Sequence, residues 1–83
     1  MKNYITYILY SESINKYYTG STSKKVEERL KRHNSNHKGY TGKAKDWEVL
    51  YVKMFGTISE SRKLEKEIQK RGAKRYILAK QED

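Results

Sequence analysis

The sequence predicts a small α+β domain, α/β in the broad sense, in which a three-stranded, largely antiparallel sheet is flanked by helices. The periodic segments follow one another in the order β-β-α-β-α-α with a hairpin first, whereas a parallel sheet needs a helical crossover between its strands. The 83 residues contain no proline, and they show no internal repeat and no linker-like tract. We therefore expect one domain over residues 1–83.

The first two strands are indicated by segments rich in tyrosine. Residues 4–10 (YITYILY) alternate between two largely apolar faces, which is typical of a strand that is covered on both sides. Polar residues 11–16 provide a turn, and residues 17–19 form a short second strand before Gly20. Together these segments predict a hairpin with a longer loop.

The first helix and the third strand come next. Val26, Leu30 and His33 recur at helical spacing, which predicts a helix over about residues 24–34 with N-cap oxygens offered by the hydroxyl side chains before it. A basic loop without periodicity follows over residues 34–46. Residues 47–55 (WEVLYVKMF) then predict a strand in which Val49, Tyr51, Lys53 and Phe55 face away from Leu50, Val52 and Met54.

Two further helices complete the order of elements. Thr57 with Glu60 three residues later forms a capping box, which predicts a helix to about Arg71. Gly72 is the expected stop, because glycine commonly ends helices. Apolar residues beyond it indicate a short last helix.

Composition excludes several classes of protein. The absence of cysteine excludes disulfides, thiolate metal sites and cysteine nucleophiles. No apolar run approaches the roughly 20 residues that span a bilayer, and the first residues lack the apolar stretch of a signal peptide. We expect a soluble, cytoplasmic protein that does not bind membranes.

Positive charge is concentrated in two segments. The chain has 19 Lys and Arg against 10 Asp and Glu, a net charge of +9. Residues 24–45 hold eight of the basic residues against two Glu, and residues 62–75 hold seven against two. This distribution of charge favours a nucleic acid, with its phosphate backbone, as the partner. The alternative is that the basic residues only form solvent-exposed faces of the helices. The residues expected to contact nucleic acid are Lys38, Lys43, Lys45, Arg71, Lys74 and Arg75.

Five side chains stand out as candidates for chemistry. Arg29 and His33 lie four residues apart and project from one helix face. Tyr7 and Tyr18 lie on adjoining strands, and Glu65 lies at the edge of an apolar helix stripe. If the two helices pack on the same sheet, these five side chains converge.

The same residues carry a resemblance to the GIY-YIG nuclease domain. The residues that carry it are Ile5-Thr6-Tyr7, Tyr18-Thr19-Gly20, Arg29 with His33, and Leu64-Glu65. The resemblance covers essentially the whole chain, which is similar in particular to small standalone bacterial members, with YYTGST at residues 17–22. The triplets read ITY and YTG rather than GIY and YIG. No asparagine follows residue 36, so the Asn that many relatives carry near the C-terminal helix has no counterpart assigned.

The resemblance implies hydrolysis of DNA phosphodiester bonds with one divalent ion, Mg²⁺ or Mn²⁺. Glu65 is a hard oxygen ligand suited to Mg²⁺, and Arg29 has a planar fork that matches phosphate oxygens. Tyr7 is the candidate general base, with the metal and Arg29 expected to favour its phenolate. His33 relays that proton or binds phosphate, and Tyr18 orients water or phosphate. The DNA is duplex or branched, selected by its shape, by a protein partner or through dimerisation.

Other interpretations stay open at the level of sequence. The chain is alternatively a nucleic-acid binding module or partner subunit that cuts nothing, or a basic protein adaptor. Tyr7 and Tyr18 are also typical of strand packing, and Glu65 lies between two lysines as surface charge does. His33 suits a helix C-terminus, and a zinc site with His37 is disfavoured because loop residues separate the two.

Overall fold

The computed structural model of the protein describes residues 3–35 and 43–81. Its element order confirms the prediction, and its three strands form one antiparallel sheet in the order β2-β1-β3. The predicted fold class is therefore confirmed. The elements are β1 Tyr4–Ser11, β2 Lys16–Thr22, α1 Val26–His33, β3 Glu48–Phe55, α2 Ile58–Arg71 and α3 Ala73–Gln81.

The central strand, β1, is covered on both sides because its two faces are both apolar. We call the two sides of the sheet the Tyr7 face and the Ile8 face, after adjacent buried residues of β1. Val26 and Leu30 of α1 pack on the Tyr7 face. Ile68 of α2 packs on the Ile8 face together with α3. The helices that follow β2 and β3 thus lie on opposite sides of the sheet.

The hairpin and α1 differ from their predicted bounds. β2 is longer than predicted and continues through Gly20, which pairs with Tyr7 of β1. α1 begins at Val26 with Lys25 as its N-cap, and no side chain caps it. The Thr22 hydroxyl accepts a hydrogen bond from the Lys24 backbone N–H at 3.0 Å instead. The predicted hydroxyl capping of α1 is therefore wrong.

The predicted alternation of β3 is wrong at its start. An irregularity in the pairing with β1 places Val49 opposite Leu9 and Tyr51 opposite Ile8. Because Leu9 and Ile8 point to opposite sides of β1, Val49 and Tyr51 do so too. Val49 accordingly packs with the core of the Tyr7 face.

The capping box of α2 is confirmed. The Thr57 hydroxyl accepts a hydrogen bond from the Glu60 backbone N–H and donates one to the Glu60 carboxylate. Gly72 ends the helix with φ 94°, a conformation that glycine adopts without strain. The Thr6 hydroxyl donates to the carbonyl oxygen of Ser61 at 2.6 Å, a buried bond that fixes the first turns of α2 on β1.

Part of the predicted basic loop is held against the Tyr7 face. Ala44 and Trp47 are buried there. The Asn34 amide donates to the Trp47 carbonyl at 3.1 Å and accepts from the Trp47 backbone N–H at 2.7 Å. Residues 36–42, with Lys38 and His37, lie outside the described residues. In the described ranges no helix has both the length and the apolar character to cross a membrane.

Candidate active site

Three rings meet on the Tyr7 face, where His33 at the end of α1 contacts side chains of β1 and β2. Tyr7 is fully buried, and its hydroxyl lies 3.1 Å from Nε2 of His33 at the C-terminal end of α1. The Tyr18 ring lies 4.7 Å from the His33 ring and 6.3 Å from the Tyr7 ring, measured between centroids. The structure therefore brings Tyr7, Tyr18 and His33 together, as the sequence predicts.

Gly20 gives the Tyr7 hydroxyl its place on the neighbouring strand. A Cβ atom at residue 20 would lie 2.6 Å from the Tyr7 hydroxyl oxygen and 2.8 Å from the ring carbon that carries it. Real Cβ atoms essentially never come so close to other atoms. The glycine is needed here for space, because its missing side chain leaves room for the Tyr7 ring to extend over β2.

Glu65 approaches the same region from the other side of the sheet. Its Oε1 accepts a hydrogen bond of 2.7 Å from the hydroxyl of Ser21, which pairs with Thr6 in the β1–β2 ladder. Glu65 acts electrostatically on Tyr7, whose pKa it helps to raise. Both helices pack on the same sheet, as the predicted convergence requires, but they lie on opposite sides of it. The candidate residues therefore come from both sides of the sheet.

Arg29 supplies a cation with an unsatisfied donor. Its Nε atom is buried and has no hydrogen-bond partner among the described residues. The guanidinium acts on the Tyr7 hydroxyl through a hydrogen bond and through its charge, and both lower the pKa of Tyr7. A buried donor without an acceptor costs free energy, so Nε is suited to an acceptor that the described residues do not provide.

The pKa of Tyr7 is raised above its ordinary value of 10.0. Burial is the largest cause, because it disfavours the charged phenolate, and Tyr18 and Glu65 add to it. Arg29 opposes the rise without cancelling it. Arg29 thus favours the phenolate as expected, but burial outweighs it and Tyr7 keeps its proton at neutral pH. The effect of a metal on Tyr7 stays a prediction.

Comparison with known protein families matches residues 3–77 to the GIY-YIG catalytic domain. The chain belongs to this family. The resemblance inferred from the sequence is confirmed, and the GIY-YIG domain implies a nuclease-type function, that of a hydrolase acting on nucleic acid. No curated protein and no solved structure gives a significant match.

The donor set of this GIY-YIG domain fits a hard divalent ion that keeps most of its own water. Glu65 offers one half-buried carboxylate that acts electrostatically on Tyr7. Within residues 3–35 and 43–81, no group of three or more His, Cys, Asp or Glu side chains is placed to hold a metal. Mg²⁺ commonly takes one or two carboxylates together with waters and substrate phosphate, so a single Glu suffices for it.

The cations expected to bind nucleic acid lie in two separate places. Lys43 and Lys45 are exposed and flank Ala44, which is buried on the Tyr7 face. Arg71 and Lys74 are exposed where α2 meets α3, and so is Arg75. Lys38 lies outside the described residues. Contact of any of these side chains with DNA stays a prediction.

Sequence reasoning missed two polar side chains at the site. Ser21 lies in the YYTGST segment, and Gln69 lies four residues after Glu65 on α2. The Gln69 amide donates to Oε2 of Glu65 at 3.3 Å, and Ser21 holds Oε1. The i,i+4 spacing of Glu65 and Gln69 was the available signal for the second of these contacts.

Proposed function

We propose that this GIY-YIG domain is a metal-dependent endonuclease that hydrolyses phosphodiester bonds in DNA. The observation that carries the proposal is the contact of the buried Tyr7 hydroxyl with Nε2 of His33, at a place where both Arg29 and Glu65 act electrostatically on Tyr7. The Nε atom of Arg29 is buried without a hydrogen-bond partner among the described residues. In-line hydrolysis of a phosphodiester needs a deprotonated water and stabilisation of the growing charge, and groups of these kinds can supply both.

Tyr7 and His33 are suited to remove a proton from the attacking water. The raised pKa of Tyr7 makes a standing phenolate rare, so the phenol must lose its own proton as it gains another. With Nε2 of His33 unprotonated, the Tyr7 proton moves to that nitrogen while the water proton moves to the Tyr7 oxygen. The hydroxide oxygen bonds to phosphorus, the bond from phosphorus to the 3′ oxygen breaks, and the 3′ oxygen leaves as an alkoxide that takes a proton from solvent water. His33 later releases the proton to solvent.

Arg29 and Tyr18 are suited to hold the phosphate and the water. A non-bridging phosphate oxygen would satisfy the buried Nε of Arg29 and would place a permanent cation beside the charge that grows during attack. The Tyr18 ring contacts the His33 ring, so Tyr18 is suited to keep that imidazole aligned with the Tyr7 hydroxyl. Its own hydroxyl orients water or phosphate.

Glu65 is the residue that would hold Mg²⁺, or Mn²⁺, in this proposal. The ion supplies positive charge that stabilises the phosphate and the departing oxygen. Glu65 contributes a negatively charged ligand that is held in place by neighbouring hydrogen bonds.

DNA binding is expected to rest on charge rather than on base recognition. The net charge of +9 favours a phosphate backbone. The candidate contacts are Lys38, Lys43, Lys45, Arg71, Lys74 and Arg75. In this proposal residues 1–83 act as a single domain in the cytoplasm. Duplex or branched DNA is selected by its shape or through a protein partner.

Cleavage assays with paired glutamate variants test the proposal. Supercoiled plasmid and a labelled flap or junction are incubated with Mg²⁺ or Mn²⁺, then with excess chelator. We expect nicking that the chelator abolishes, and a loss of at least about 100-fold in Glu65→Gln, which removes a charge aimed at the reacting group. Glu67→Gln, an exposed neighbour on the same helix, is the matched control and retains activity.

Two outcomes would contradict the enzyme assignment. If Glu65→Gln cuts as well as the unaltered protein, the role of this carboxylate is refuted. If the unaltered protein binds DNA with a steep dependence on salt but cuts none of the substrates with either ion, the protein is a non-catalytic binding module. If the chain instead binds another protein and does not bind DNA, it is an adaptor.

A further inference from the structure

Both oxygens of the Glu65 carboxylate are held by neutral donors from different elements. The Ser21 hydroxyl on β2 donates to Oε1 at 2.7 Å. The Gln69 amide on α2 donates to Oε2 at 3.3 Å. A glutamate side chain loses rotamer freedom when it is fixed, so a Glu without these bonds would sample several orientations. The two donors restrict that freedom.

The amide of Gln69 is itself anchored. Its Nε2 atom lies 3.4 Å from the carbonyl oxygen of Thr19, so the same nitrogen contacts the β2 backbone and the Glu65 carboxylate. Thr19 is adjacent to Gly20, over which the Tyr7 hydroxyl lies. Through Gln69, Glu65 is therefore held against β2, the same strand over which the Tyr7 hydroxyl lies.

The chemistry of the donors leaves the carboxylate available to a cation. Each carboxylate oxygen has two lone-pair directions, and Ser21 and Gln69 occupy one on each oxygen. Both donors are uncharged, so they orient Glu65 without neutralising it as a lysine or arginine would. The carboxylate therefore keeps its negative charge, and its remaining lone pairs are open to a metal ion.

We propose that Ser21 and Gln69 are positioning residues that orient Glu65 for its divalent ion. The inference rests on the proposed function, since it assigns these residues to the ion that Glu65 would bind. Hydrogen-bond partners of metal ligands typically change metal affinity by about 10–100-fold when they are removed. The competing explanation is that the Ser21–Glu65 bond only fastens α2 to β2.

Metal affinity separates these explanations, because a purely structural bond changes stability without changing the affinity of the folded protein. The ¹⁵N-labelled full chain is titrated with Mg²⁺ in the absence of DNA, and amide shifts of residues around Glu65 and Gly20 are followed. We expect Ser21→Ala and Gln69→Leu to raise the apparent Kd for Mg²⁺ about 10-fold or more. Ser21→Thr keeps the hydroxyl and should retain most of the affinity.

Reference variants make the result interpretable. Glu65→Gln should abolish the shifts, and Ser59→Ala, an exposed hydroxyl on the same helix, should leave them unchanged. A dispersed spectrum shows that each variant is folded, and urea unfolding measures its stability separately. As a second readout, Ser21→Ala should need more Mg²⁺ for half-maximal cleavage, with a smaller effect on the rate at saturating Mg²⁺.

The outcomes distinguish this inference from the proposal on which it rests. If Glu65→Gln loses Mg²⁺ binding but Ser21→Ala and Gln69→Leu bind as the unaltered protein does, the positioning role is refuted and the enzyme assignment stands. If the unaltered protein shows no shifts around Glu65 and Glu65→Gln still cuts DNA, both fail. Lower stability in Ser21→Ala with unchanged Mg²⁺ affinity would assign the bond to packing.

Discussion

Tyr7 and Gly20 are directly opposite each other in the β1–β2 ladder, and the Tyr7 hydroxyl fills the space that a side chain at residue 20 would need. The ring therefore extends over β2, and Ser21, the residue after Gly20, holds Glu65 through its hydroxyl. The missing side chain at residue 20 thus leaves the Tyr7 hydroxyl room to reach Nε2 of His33.

Replacing Gly20 by alanine should displace Tyr7. The added Cβ would lie 2.6 Å from the Tyr7 hydroxyl oxygen, so the ring must move away from its hydrogen bond with His33. We expect cleavage to fall about 100-fold, since misplacement of a reacting group by 1 Å has effects of this size. Unfolding in urea should show a loss of about 1–3 kcal/mol from overpacking.

Gly56→Ala is the matched control for this prediction. A Cβ atom at residue 56 would meet nothing within 4 Å, and the residue is exposed. Its cleavage rate should equal that of the unaltered protein. Full activity in Gly20→Ala would show that the Tyr7 hydroxyl does not need its present position.

Removal of the Tyr7 hydroxyl should abolish cleavage without removing the buried ring. Tyr7→Phe loses the bond with His33 and the route by which a water proton reaches it. General acid–base groups typically contribute about 100- to 10,000-fold to the rate, so we expect a loss in that range. Cleavage by Tyr7→Phe at the unaltered rate would remove Tyr7 from the mechanism.

The raised pKa of Tyr7 also predicts how the protein responds to alkali. A phenol in the unfolded chain titrates near pH 10, and the folded protein holds the Tyr7 proton more tightly. Stability is therefore unaffected by this group below about pH 10 and falls as the pH rises further. The unaltered protein should lose stability relative to Tyr7→Phe in that range. Phenolate absorbance attributable to Tyr7, the difference between the two proteins, should be absent from pH 7 to about pH 10.

Arg29 should be irreplaceable by lysine. Lysine keeps the charge but lacks the planar group, whose Nε is buried and finds no acceptor in the part of the chain that the structure describes. We expect Arg29→Lys to reduce the cleavage rate at saturating DNA by about 10-fold or more. Arg32→Lys, an exposed arginine on the same helix, should change neither the rate nor DNA affinity. Equal rates for both variants would place Arg29 outside the reaction.

Local sequence patterns account for what could be predicted of this fold. The alternation of β1 and the Thr57 capping box depend on residues that are close in sequence, and both are present in the structure. The side on which Val49 lies could not be predicted, because the irregularity in β3 is defined only by its pairing with β1.

The candidate site likewise combines features that local sequence predicts with features that depend on long-range contacts. Tyr7, Tyr18 and His33 were predictable as residue types at characteristic spacings, and the structure brings them together. The position of Glu65 relative to these three was not predictable, because α2, which carries Glu65, lies on the opposite side of the sheet from α1. The bond from Ser21 to Glu65 joins residues 44 positions apart, and no local pattern indicates it.

Asp46 should govern stability toward acid. Its carboxylate accepts hydrogen bonds from the Ser11 hydroxyl and from the backbone and hydroxyl of Ser13, which join the hairpin turn to the segment before β3. These bonds hold the pKa of Asp46 below its usual value of 3.8. The carboxylate therefore stabilises the fold above about pH 4, and this contribution is lost as the pH falls through the lowered pKa.

Asp46→Asn tests this role through the pH dependence of unfolding. At pH 7 the variant should unfold at a lower urea concentration than the unaltered protein, because the amide accepts fewer and weaker hydrogen bonds. The difference should shrink below pH 4, where the native carboxylate becomes protonated as well. Glu48→Gln removes an exposed negative charge two residues away and should leave the pH dependence of unfolding in acid unchanged. A difference between the unaltered protein and Asp46→Asn that stays constant from pH 7 to pH 2 would show that the ionised carboxylate contributes nothing specific.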